Sequence, residues 1–62
     1  MHENYMKFDR IIKARNLTPY RVALDCGIAH TYFYRWKAGR IPKVDKLKKI
    51  ADYLQVKIDD LV

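Results

Sequence analysis

A single cysteine in 62 residues excludes an internal disulfide, and Cys26 has no Cys-x-x-Cys companion with which to begin a zinc site. Two glycines and two prolines are too few for a loop-rich or disordered chain. No Asn-Gly or Asp-Gly pair marks a hairpin, and no segment alternates with strand period for long. No apolar run approaches the ~18 residues of a membrane span, and no signal peptide opens the chain, so a soluble, cytoplasmic protein without a membrane partner is expected. Length is the last shortage. Residues 1–62 make one domain at most, near the lower limit for a chain that folds without staples. A closed catalytic pocket needs wall material that such a chain lacks, so neither an enzyme nor a cofactor is expected.

Positive charge is abundant. Thirteen Lys and Arg stand against seven Asp and Glu, a net +6, with a pI near 9.7. A small basic domain is drawn to polyanions, nucleic acid first and anionic membrane second. Half the residues are hydrophobic, and they recur at spacings of three and four, which is helical period.

Tyr5, Phe8, Ile11 and Ile12 form one stripe, predicting a helix near residues 4–15 that ends at Asn16, a residue that tolerates a left-handed turn. In "LTPYRVALDCG", Thr18 is a good N-cap, Pro19 suits the first helical position and Gly27 can supply the positive φ that stops the helix. This second helix has about eight residues, with Val22, Ala23 and Cys26 on one face. A third helix is predicted over 29–38, ending at Gly39, and Pro42 separates it from the next. In "KVDKLKKIADYL", Leu47, Ile50, Ala51 and Leu54 follow the pattern of a buried stripe, and Asp45 lies in the first turn where the helix dipole favours an anion. The tail "KIDDLV" reads as one last turn, with Ile58 and Leu61 packing inward. The expectation is an all-α compact bundle of four to five short helices.

The third helix has two faces. Phe33 and Trp36 point with Ile28 toward the core. His30, Thr31, Tyr34 and Arg35 share the opposite face, where one flat partner can touch them all, and Tyr32 sits at the boundary. Cys26 and His30 are four apart, but Gly27 breaks the helix between them and no third ligand is near, so no metal site is expected. The same geometry fails for Cys–His nucleophilic catalysis, and Cys26 reads better as a small buried hydrophobe. A membrane-surface helix is disfavoured because the core needs Phe33 and Trp36.

A short capped helix, a glycine turn and a second helix with one polar face, spanning about 18–38, make a helix-turn-helix. Residues 17–61 resemble the phage Cro and repressor (XRE, lambda-repressor-like) domains through Thr18, Ala23, Gly27 with Ile28, the third helix, Gly39, Pro42 and "LKKIADYLQV". Ala23 is small where two helices cross closely. There are departures. Pro19 stands where a polar residue, often Gln, commonly opens the motif, and Ala29 where a Ser often caps the recognition helix. Ile12 and Lys37 occupy the positions of an Arg–Glu ion pair that many members have, so that pair is absent.

The resemblance implies that the third helix lies in the major groove of double-stranded DNA, its first residues nearest the bases. Candidate base contacts are His30, Thr31, Tyr34 and Arg35, the last able to bind guanine O6 and N7 or, equally, a phosphate. Candidate phosphate contacts are Thr18, Lys37, Arg40 and Lys43, whereas Lys46, Lys48 and Lys49 read as a solvated face. A sequence-specific transcriptional regulator or repressor of phage or bacterial type is the leading reading. Two others stand beside it: a scaffold for protein contact anchored by Tyr32, Tyr34 and His30, and an architectural or recombination-associated DNA-binding protein. A homodimer, including one formed only on DNA, would use the tail, the fifth helix or the N-terminal segment.

Overall fold

Four α-helices and a 3-10 turn make up the computed structural model, which describes residues 3–62. They are α1 (Glu3–Ala14), α2 (Pro19–Cys26), α3 (Thr31–Lys37), α4 (Val44–Leu54) and the turn Ile58–Asp60, with no strand among the described residues. The expected all-α bundle is what forms. Three helices match their predicted spans within a residue or two, while α3 begins two residues later than its apolar pattern suggested.

Every helix stops in the same way. Asn16, Gly27, Gly39 and Gln55 each adopt positive φ, at 58°, 68°, 105° and 57°. After each, an amide bonds back to a carbonyl five residues earlier: Leu17 to Ile12 at 2.8 Å, Ile28 to Ala23 at 3.0 Å, Arg40 to Arg35 at 2.9 Å and Val56 to Ala51 at 3.0 Å. These are Schellman ends, which satisfy carbonyls that a helix terminus otherwise leaves open. The start of α2 is equally well defined. Thr18 Oγ1 accepts the Arg21 amide at 3.1 Å, and Pro19 follows in the first turn.

The apolar stripes converge on one core. Tyr5, Phe8 and Ile12 of α1 meet Val22 and Ala23 of α2, Phe33 and Trp36 of α3, and Leu47, Ile50, Ala51 and Leu54 of α4, all buried. Ile28 and Leu61 join them, while Ile11 and Ile58 are only partly buried against the cluster. Phe8 stacks on Trp36 and Phe33 at centroid distances of 5.0 and 5.3 Å, and Tyr5 meets Trp36 edge-on at 5.5 Å. Cys26 corrects the expectation of full burial: it is half-buried, its Sγ 3.9 Å from the Lys49 carbonyl. Burial, then the neighbouring Asp25, pushes its thiol pKa up against a smaller lowering by Lys49, which disfavours the thiolate.

Polar ties close the bundle around this core. The Arg15 guanidinium donates to the Leu54 carbonyl at the end of α4, and Lys7 Nζ donates to the Val62 carbonyl at 2.6 Å. Asp25 accepts from Tyr53 at 2.5 Å and from Arg21 Nε at 3.1 Å through one oxygen, fastening α2 to α4. That bond to Asp25, more than burial, raises the Tyr53 pKa.

Candidate nucleic-acid interface

The α2–turn–α3 unit is oriented by what it buries. Val22 and Ala23 of α2, Ile28 of the turn, and Phe33 and Trp36 of α3 are all buried in the common core, the last two against Phe8 of α1, so the remaining face of α3 is turned to solvent. Gly27 makes the corner. A Cβ there would meet nothing within 4 Å, so glycine is required by its φ of 68° and not by crowding.

The late start of α3 has a local cause. Ala29 has no side-chain acceptor to cap the helix, and its first turn closes instead through short-range bonds: Tyr32 N to Ala29 O and Phe33 N to His30 O, both 3.1 Å. His30 becomes the capping residue, in helical conformation and with no side-chain cap bond. Its imidazole is left free to lie on the surface.

All the candidate contact residues are exposed. His30, Thr31, Tyr34 and Arg35 form the expected outer row of α3, and Tyr32 is half-buried at its boundary with Lys46 Nζ 5.7 Å above its ring. Arg35, Arg40 and Lys43 come together with Tyr32, Ile41 and Pro42 around a concavity of about 290 Å³. Lys37 is placed differently: its Nζ lies 5.4 Å from the Tyr5 ring centroid and 5.8 Å from that of Tyr34. Lys37 thus has cation–π neighbours at the position read as lacking the Arg–Glu pair, and Ile12 is in the core. Thr18 spends one lone pair on the Arg21 amide. Pro19 has no N–H and the Val22 amide bonds the Thr18 carbonyl at 3.1 Å, so the first turn of α2 offers an anion little beyond the Thr18 hydroxyl and the Tyr20 amide.

Pairing sharpens the charge distribution. Lys13 with Asp9, Arg21 with Asp25 and Lys48 with Asp52 are bridged at 2.8, 3.1 and 3.4 Å, each four residues apart on a helix. Arg35, Arg40 and Lys43, like the other cations outside these three pairs, have no ion pair among the described residues, and they lie together at the end of α3 and in the loop after it. A phosphate oxygen brought there meets donors that carry no competing carboxylate.

Two residues of this face went unassigned from the sequence. Tyr20 is 60% exposed and Leu24 58%, one turn apart on the outer side of α2. Tyr20 lies edge-to-face against His30, centroids 5.8 Å apart, and His30 meets Tyr34 in the same manner at 5.6 Å. The signal was available: Tyr20 and Leu24 are i, i+4 neighbours on the helix side away from Val22 and Cys26.

No helix of the described residues is long and apolar enough to cross a membrane. A family model for the Cro/C1-type HTH DNA-binding domain matches residues 7–62. No curated relative and no solved structure matches the chain. The family match runs from within α1 to the end of the tail and takes in the capped α2, the glycine corner, the outward row of α3 and the α4 stripe. This chain belongs to the Cro/C1-type helix-turn-helix DNA-binding domains.

Proposed function

We propose that this domain binds double-stranded DNA at a preferred sequence, with α3 in the major groove, and serves as a small transcriptional regulator or repressor of phage or bacterial type. The observation that carries the reading is the outer row of α3, exposed and backed by buried Phe33 and Trp36, with unpaired cations at its end. His30 and Thr31, at the start of α3, stand nearest the base edges in this docking. Arg35 lies beside Arg40 and Lys43 around one concavity, which supports phosphate binding over guanine readout for its guanidinium. Lys37 joins them along the backbone.

Selection of bound duplexes from random DNA tests the function directly. A recurring sequence is expected, and a palindromic one would report a two-fold dimer on DNA. With roughly four phosphates neutralised per subunit, log K should fall against log salt with a slope of about −3.6. Arg35→Ala should lower affinity for selected and random duplexes by the same factor; relaxed preference at one base pair would reassign it to guanine. Binding at moderate salt with no preference over random DNA would overturn the regulator reading, and no binding would turn attention to a protein partner.

A further inference from the structure

We propose that Tyr20, His30 and Tyr34 form the sequence-discriminating element of this interface and read the C5 methyl group of a thymine. The proposal rests on the docking of α3 described above and assigns the chemistry read there. This chain buries Tyr5, Phe8, Phe33 and Trp36 almost completely, yet leaves three further rings in one exposed row. Tyr20 and Tyr34 are 60% and 65% exposed, and His30 bridges them at interplanar angles of 73° and 90°. In such edge-to-face contacts the electropositive rim of one ring meets the face of the next, and His30 also lies 6.3 Å from the buried Phe33 ring, so the three hold one another in place against the core behind them. A surface that is already ordered loses little side-chain freedom when a ligand covers it.

The occupant follows from what surrounds the row. Lys37 Nζ lies 5.8 Å from the Tyr34 centroid, and the unpaired Arg35, Arg40 and Lys43 lie on the same helix and the loop that follows it. The ligand must therefore present an apolar group within a few ångströms of anionic ones. Guanine O6 and N7 call for paired donors, which aromatic faces do not provide. The thymine methyl is the apolar group displayed in the major groove, and it lies between two lines of phosphates. An apolar protein surface would satisfy the rings and leave the cations unmatched.

The test uses the whole chain and a duplex obtained by selection from random DNA, with deoxyuridine replacing thymidine at one position at a time so that only a methyl group is lost. At one thymine of the site, affinity should fall about fourfold, the value of one buried methyl-sized group. Tyr34→Phe should preserve that difference because the ring face is retained. Tyr34→Ala and Tyr20→Ala should erase it, binding the thymine and uracil duplexes alike. A selected site without thymine, or equal affinity after every deoxyuridine replacement, overturns the methyl assignment while leaving sequence-specific binding standing. Failure to select any sequence overturns both. The replacements in DNA leave the protein unaltered, so a poorly folding variant does not remove the test.

Discussion

Tyr5→Phe should make this protein more stable, although it removes a polar group from a side chain that is wholly buried. The Tyr5 hydroxyl and the Trp36 indole N–H are buried with no hydrogen-bond partner among the described residues. A buried polar group without a partner costs ~1–3 kcal/mol relative to its hydration in the unfolded chain. Phenylalanine keeps the ring contacts with Phe8 and Trp36, each at 5.5 Å, and presents the same face to Lys37. The expected gain is about 1 kcal/mol, which in a domain this small raises Tm by about 4–8 °C. Alkali provides a second readout. Burial, with a smaller contribution from Asp9, raises the Tyr5 pKa from 10.0 to about 12. Below pH 10 both folded and unfolded chains keep the proton. Between pH 10 and 12 the unfolded chain releases it first, so wild-type stability falls as pH rises through that window. Tyr5→Phe lacks this component, and its advantage over wild type should widen across the same interval. Paired urea titrations at pH 7 and pH 11 measure both effects. A variant less stable at pH 7, or an advantage that stays constant into alkali, would refute the account of an unpartnered hydroxyl.

Trp36→Ala should cost ~3–5 kcal/mol through the cavity left between Phe8, Phe33 and Tyr5, and a well-dispersed amide spectrum for it would contradict the core assignment. Thr18→Ala removes the acceptor of the Arg21 amide and should lower the urea midpoint by an amount worth ~1 kcal/mol, with Thr18→Ser recovering most of it. Gln55→Gly should stabilise by ~0.5–1 kcal/mol, because a left-handed residue with a Cβ costs ~1–2 kcal/mol and the extra freedom of unfolded glycine offsets part of the relief. A lower melting temperature for that variant would show that the Gln55 side chain contributes more than its backbone costs.

Local chemistry explains which features were legible from residue types. Thr18, Pro19, Asn16 and Gly27 each signal a backbone geometry within a few residues, and each adopts it. The stripes of α1 and α4 were equally readable, because period alone decides which residues of a long amphipathic helix are buried. Gln55 was not, since its left-handed conformation is imposed by the Schellman end of α4 against the residue's own preference. The start of α3 was misplaced because Phe33 and Trp36 report the buried face but say nothing about the first turn, where Ala29 provides no cap. In the interface, exposure of His30, Thr31, Tyr34 and Arg35 followed from burial of their opposite face. Tyr20 beside His30, and the Arg21–Asp25–Tyr53 bonds, depend on how α2 meets α3 and α4, a tertiary relation that no helical period encodes.

The repeated left-handed stop at Asn16, Gly27, Gly39 and Gln55 bears on how quickly the chain reaches its native state. Each stop is completed by bonds spanning only a few residues, so the end of each rod is encoded within its own stretch of chain. What remains is the docking of four short rods in an all-helical bundle, a class that folds in microseconds to milliseconds. A temperature-jump relaxation in that range is expected, leaving a partly assembled chain little time to expose its rings to its neighbours.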